Sequence, residues 1–209
     1  MRLTEILAKL ALRRPVFHSE ADFQHALAWE IQSAFPHYDI RLEYNPQVFD
    51  SRTYIDIWIR TNTGDNIAIE LKYKTKNTKI KIKEEVFELQ NHGAPANNRF
   101  LVVKDVHRIE HVVKKVPRTT GYVIFLTNNQ EYWQAWKVKD TKDKAFRLQQ
   151  GRILTGTLKW RDNTAISTTN KLGESLSLNG EYSLTWENYV NFSGVRYGAF
   201  KFLMVKVQR

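Results

Sequence analysis

Apolar residues recur along the start of the chain at the spacing of a helix and then change to the spacing of a strand. Leu3, Ile6, Leu7, Leu10 and Ala11 fall on one helical face over residues 2–13, and Pro15 stops that helix. A second helix begins at Ser19. Ser19 followed by Asp22 resembles a capping box, with Asp in place of the usual Glu or Gln. Phe23, Ala26, Leu27, Ile31 and Ala34 form its apolar face, which ends before Pro36. From Tyr38 the period becomes two. Ile40, Leu42 and Tyr44 alternate with polar residues and predict a strand. Tyr54 to Ile59 and Ile67 to Tyr73 predict two more, joined by the turn residues Asn62-Thr63-Gly64-Asp65-Asn66.

Residues 79–90 alternate again and suggest a protruding hairpin, with a helix as the rival assignment; 91–98 read as loop. Phe100, Val103, Val106, Ile109 and Val113 predict a helix from about 99 to 115, and Gly121 to Thr127 a central apolar strand. Strand-like pieces follow near 156–160, 175–186 and 198–207, with no linker to set them apart. The order is helix, three strands, helix, strand, then a β-rich tail. It predicts one α/β domain over 1–209: a mixed central sheet flanked by helices, with a core at about 18–127 and a β-rich C-terminal extension at about 128–209.

Composition narrows the function. Apolar residues make up 42% of the 209, enough for a real core. Lys and Arg outnumber Asp and Glu by 32 to 22, giving +10 and a pI near 9.7. That surplus favours a polyanionic partner, nucleic acid before anionic membrane. The absence of Cys excludes disulfides, zinc ribbons, iron–sulfur clusters and thiol nucleophiles. No apolar run approaches the roughly 20 residues of a spanning helix. The N-terminal MRLTEILAKLALRRP lacks a signal peptide's uninterrupted apolar core, so a cytoplasmic protein is expected.

The hairpin YIDIWI-RTNTGDN-IAIELKY carries the chemistry. Side chains alternate between faces of a strand. Tyr54, Asp56 and Trp58 therefore share one face, and Ile55, Ile57 and Ile59 the other. In the next strand Ala68, Glu70 and Lys72 oppose Ile67, Ile69, Leu71 and Tyr73. If both isoleucine faces point into one core, Asp56, Glu70 and Lys72 lie on a common face. Centring the turn on Thr63 sets Asp56 opposite Glu70 and Ile57 opposite Ile69. A slip by one residue would expose the core isoleucines. Two carboxylates facing each other across strands repel, which predicts a cation between them. With few other protein ligands, they make a hard-oxygen site suited to Mg²⁺, with Mn²⁺ as a substitute. Lys72 on the same face is placed to orient an attacking water or to stabilise charge developing on a phosphate.

Asp56, thirteen intervening residues and then Glu70-Leu71-Lys72 resemble the PD-(D/E)xK nuclease motif, set in the apolar strands IDIWI and IAIELKY. The order of elements over about 18–127 also resembles that superfamily's α-β-β-β-α-β core. Ile55 stands where the motif has Pro. The resemblance implies a restriction-endonuclease-like, Mg²⁺-dependent phosphodiesterase. Asp56 and Glu70 would be metal ligands and Lys72 would stand beside the nucleophile. DNA is the favoured substrate and restriction or defence the implied setting. Many members cut duplexes as dimers, which brings a homodimer or a partner protein into view, although the sequence marks no dimer surface.

Glu30 falls inside the apolar stripe of the second helix, and Glu20 near its edge, so both are candidate accessory acids. A salt bridge at the rim of the core would also explain Glu30, and the helix dipole would explain Glu20. Glu43 and Gln90 are further accessory candidates. Lys74, Lys76, Lys79, Lys81 and Lys83, with Lys72, crowd one stretch that would neutralise phosphates. Alternating lysines also protect strand edges from aggregation. Trp133, Trp136, Trp160 and Trp186 read as core residues rather than base-stacking platforms, and His107 and His111 as surface helix positions. Three rivals remain: a nucleic-acid-binding or assembly module that keeps the fold without catalysis, an RNA-directed nuclease, and a basic soluble domain with no nucleic-acid role. The last would present a neutral or acidic surface around Asp56 and Glu70.

Overall fold

The computed structural model describes residues 1–135, 140–162 and 164–209, so Trp136 lies outside the described residues. Helix α1 spans Leu3–Arg13 and α2 Glu20–Ala34. The Ser19 hydroxyl accepts from the Asp22 N–H at 3.1 Å, giving α2 the N-cap its sequence predicts. Strands β1 (Asp39–Tyr44), β2 (Ile55–Arg60) and β3 (Asn66–Lys74) follow. Next come a hairpin of β4 (Thr78–Ile82) and β5 (Glu85–Leu89), helix α3 (Pro95–Lys115) and strand β6 (Thr119–Thr127). After β6 lie β7 (Ile153–Lys159), a short α4 (Ile166–Leu172), β8 (Ser175–Ser183), β9 (Trp186–Asn191) and β10 (Ala199–Val207).

Six strands form a mixed central sheet in the order β1-β2-β3-β6-β10-β9. Only β3 and β6 run parallel, joined through α3; the other neighbours are antiparallel. Helices cover both faces. On one side Leu7, Phe23, Leu27 and Ile31 of α1 and α2 pack with Ile57, Ile59, Ile69, Leu71 and Tyr73. On the other, Phe100, Val106 and Ile109 of α3 pack with Trp58, Ala68, Val123 and Phe125. Strand β6 is buried on both faces, which explains its nearly continuous apolar sequence. No helix among the described residues is long and apolar enough to cross a membrane.

The segment 79–90 is the hairpin that its alternation suggests, and not the rival helix. Other expectations change. Helix α3 begins at Pro95, so the 91–98 loop is shorter than its polar sequence suggests; proline suits the first helical turn because its missing N–H has no intrahelical partner there. Ala34 is exposed, while Gln24 and Glu30 join the buried face of α2. The 175–186 piece is two elements, β8 in a hairpin with β7 and β9 at the edge of the central sheet. Ile55 packs with the α3-side core, apart from Ile57 and Ile59. Residues 128–209 therefore do not merely decorate the core: β10 and β9 complete its sheet, and the β7–β8 hairpin packs on α3.

Candidate active site

The β2–β3 ladder runs from Arg60 opposite Asn66 to Ile57 opposite Ile69, the register that the turn chemistry predicts. At the next position a side chain takes over from the ladder. Asp56 Oδ2 accepts from the Leu71 N–H at 2.6 Å, and Glu20 Oε2 accepts from the Tyr73 N–H at 2.7 Å. Two carboxylates thus satisfy backbone donors of β3 at the place where its neighbour ends. Buried Gln24 locks this corner. Its Nε2 donates to the Asp56 carbonyl at 2.8 Å and to Glu43 Oε1 at 2.7 Å.

The face shared by Asp56, Glu70 and Lys72 turns toward α3, where two residues unforeseen in the sequence meet it. Lys72 Nζ lies 2.9 Å from Asp105 Oδ2, and the Arg108 guanidinium lies 2.9 Å from Glu70 Oε1 and 3.3 Å from Asp105 Oδ1. Arg108 also donates to the Tyr54 carbonyl at 2.5 Å. Glu70 is 1% exposed and Asp105 3%. A signal for Asp105 exists in the sequence. It stands three residues after Val102 and four before Ile109, inside the apolar stripe of its helix, where an isolated charge is costly.

The electrostatics are those of carboxylates forced together in a dry place. Burial pushes Asp56 up to about 6, against the Leu71 N–H and Lys72, with Asp105 and Glu20 adding to the rise. Burial also raises Glu70 well above the ordinary range, helped by Asp105 and Asp56 and opposed by Arg108 and Lys72. Asp105 is raised by burial, against Lys72 and Arg108. Burial pulls the Lys72 ammonium downward, but Asp105 and Glu20 outweigh it and hold the group above its usual range.

These donors suit a hard cation. Glu70 Oε1 and Asp105 Oδ2 are buried and each meets one cationic partner at 2.9 Å, which leaves each carboxylate oxygen a second lone pair. Mg²⁺ keeps several waters and asks for only one or two carboxylates, a number that Asp56 and Glu70 could supply. Among the described residues, no three acidic or histidine side chains are gathered closely enough to hold a metal ion by themselves.

The accessory candidates separate. Glu20 joins the site through Tyr73 and through Lys74, whose Nζ is 3.0 Å away. Glu43 is exposed and reaches Asp56 only through Gln24. Glu30 is not brought in; it pairs with Arg13 at 3.0 Å between α1 and α2, the rim salt bridge that its position also allowed. Gln90 is exposed just past the end of β5, where its carbonyl accepts from Thr75 Oγ1 at 2.7 Å, one residue beyond the strand that bears Glu70; no hydrogen bond joins its side chain to Asp56 or Glu70 among the described residues.

The lysines beyond Lys72 do not form a bare cationic patch. Lys74 pairs with Glu20 and Lys76 lies 3.6 Å from Glu131. Lys79 faces Glu88 across the hairpin at 2.6 Å, and Lys81 lies 3.8 Å from Glu84. Lys83 holds a left-handed turn position (φ 54°) beside Glu84 and Glu85. Alternation predicted their exposure, but not the acids that answer them. Around Asp56 the balance is near neutral, as a basic domain with no nucleic-acid role would have it: Asp56, Glu70, Asp105 and Glu20 against Lys72, Arg108 and Lys74. Trp160 and Trp186 are buried, with Trp133 packed against the same core.

No family model, curated protein or solved structure matches this chain.

Proposed function

We propose that the protein is a Mg²⁺-dependent phosphodiesterase that hydrolyses nucleic acid, with DNA as the favoured substrate. The observation that carries this is the meeting of Asp56, Glu70 and Lys72 where β2 stops pairing with β3. The succession α2, β1, β2, β3, α3, β6 supports a restriction-endonuclease-like core. A cytoplasmic role in restriction or defence, with a homodimer or partner protein, belongs to the same reading and rests on resemblance.

Asp56 and Glu70 would hold the cation. When bound, it supplies Lewis-acid polarisation of a phosphoryl oxygen and activation of water. The Leu71 N–H fixes Asp56 in orientation, and Gln24 fixes the strand behind it. Lys72 remains an ammonium in this acidic setting and can hold a water or a phosphoryl oxygen by charge-assisted hydrogen bonds. Glu20 anchors the following residue of β3 and holds Lys74 at the rim.

The test is cleavage of plasmid and single-stranded DNA with Mg²⁺ or Mn²⁺. Wild type is expected to cut, and Asp56→Ala and Lys72→Ala are each expected to abolish cutting. Cutting that survives both substitutions would reject the site. DNA and RNA of one sequence, compared side by side, decide the sugar. One observation favours the non-catalytic alternative: Arg108 and Lys72 already answer Glu70 and Asp105 with ion pairs. That alternative expects metal-independent binding and no cutting with any divalent ion.

A further inference from the structure

The β4–β5 hairpin sets Lys79, Lys81 and Lys83 against Glu84, Glu85 and Glu88, and a net positive surface is found instead on α3 beside the carboxylates. A cleft of about 580 Å³ opens between residues 49–54 and α3. Lys104, His107, Arg108 and His111 line it at i, i+3, i+4 and i+7 of α3, and Arg52 faces them. No carboxylate is among its lining residues. The cleft is built rather than accidental. His111 Nε2 meets the Val48 carbonyl at 2.8 Å, Phe49 stacks on the His111 ring at 5.0 Å, and the Arg52 guanidinium sits 5.3 Å over the Tyr54 ring. None of the exposed large apolar residues (Leu12, Trp29, Val86, Ile153 and Ile166) lines it, so it lacks the anchors of a membrane-binding face.

Arg108 belongs to both places. It lines the cleft, and its guanidinium contacts Glu70 and Asp105. We propose that this cleft seats the phosphodiester backbone of a nucleic acid, with Arg52 and Lys104 as its outer contacts and Arg108 as the link to the carboxylate site. The inference deepens the hydrolase reading and rests on it for what happens next to the seat. A phosphate entering the cleft competes with Glu70 for Arg108, so occupation of the seat frees the carboxylate that the cation needs.

The experiment measures binding of the full chain to a short labelled DNA duplex, and to an RNA duplex of the same sequence, by fluorescence anisotropy in EDTA over a salt series. Compared with wild type are Arg52→Ala with Lys104→Ala, and Lys79→Ala with Lys81→Ala; all four side chains are exposed, so the fold is expected to stand. The cleft variant is expected to lose about tenfold or more in affinity and to lower the salt slope by about two. The hairpin variant is expected to stay within about twofold of wild type, because its lysines are already paired. Cleft-variant binding equal to wild type, loss confined to the hairpin variant, or no binding by wild type would each overturn the proposal. Failure of the hydrolase reading looks different: wild type then binds through the cleft but cuts nothing with any divalent ion.

Discussion

Asp56 holds the Leu71 N–H at 2.6 Å, so one carboxylate both ends the β2–β3 ladder and stands at the centre of the charged cluster. The two jobs separate by substitution. Asn keeps an acceptor for Leu71 but has no charge for a cation; Ala keeps neither. Both variants are expected to be inactive. Asp56→Ala is expected to be the less stable of the two by about 1–3 kcal/mol, the cost of an unsatisfied buried donor. Urea unfolding of the pair checks this, and equal midpoints would mean that Leu71 finds another partner.

The raised carboxyl of Asp56 gives a pH dependence of definite sign. Its folded pKa, about 6, lies above the ordinary 3.8. Protonation is therefore favoured by folding. The stability it gives is fully present below about pH 4 and is lost as pH rises through about 6. Asn does not titrate. In EDTA, Asp56→Asn should gain on wild type between pH 4 and pH 7, by up to about 3 kcal/mol. Mg²⁺ at pH 7.5 should then stabilise wild type and leave the variant unmoved. A stability difference that is flat with pH would show that burial does not hold the Asp56 carboxyl above its ordinary range.

The register, the shared face and the first three strands were legible because each follows from one-dimensional rules: alternation, turn chemistry and the penalty for exposing isoleucine. Glu70 and Lys72 could be placed on one face without knowing what covered it. Asp105 and Arg108 could not be joined to them, because β3 and α3 meet only through the tertiary packing of the crossover. Asp105 did leave a trace as a charge within an apolar stripe, the argument that singled out Glu30, which went to Arg13 instead. Periodicity says that a buried acid needs a partner, not which one. For the same reason the lysines of 79–83 read as a cationic run, while their partners Glu84 and Glu88 became visible only once β4 and β5 folded together. The basic stripe at 104, 107, 108 and 111 was regular in sequence, but the cleft it lines exists only with the loop that faces it.

Lys72 and Asp105 form a pair whose loss from one side differs from its loss from both. Lys72→Met leaves a carboxylate that is 3% exposed with Arg108 as its remaining partner, and removing one side of a buried pair costs up to about 3–5 kcal/mol. Adding Asp105→Leu removes the under-compensated charge and should recover part of that loss. Cleavage should not return, because the ammonium is still missing. Thermal unfolding and plasmid cleavage of the two variants check both halves. Activity restored by the double variant would make Lys72 a structural residue only.

Gly121 sets how closely α3, with Asp105 and Arg108, approaches the sheet. It lies beside Ala68 in the parallel β3–β6 pairing, and a Cβ at 121 would stand 2.0 Å from Ile109 Cγ2 and 3.2 Å from Val113 Cγ2. Gly121→Ala therefore pushes on the helix one turn from Asp105 and next to Arg108. Overpacking of this kind costs about 1–3 kcal/mol, and it should lower cleavage by moving both charges relative to Glu70 and Lys72. Ile109→Ala, costly on its own as a cavity, makes room for the added methyl. Combined, the two changes should destabilise less than their sum by at least about 1 kcal/mol, and the double variant should recover activity relative to Gly121→Ala. Strict additivity in urea unfolding would mean that the helix is held off the sheet elsewhere and that Gly121 does not set the distance across the site.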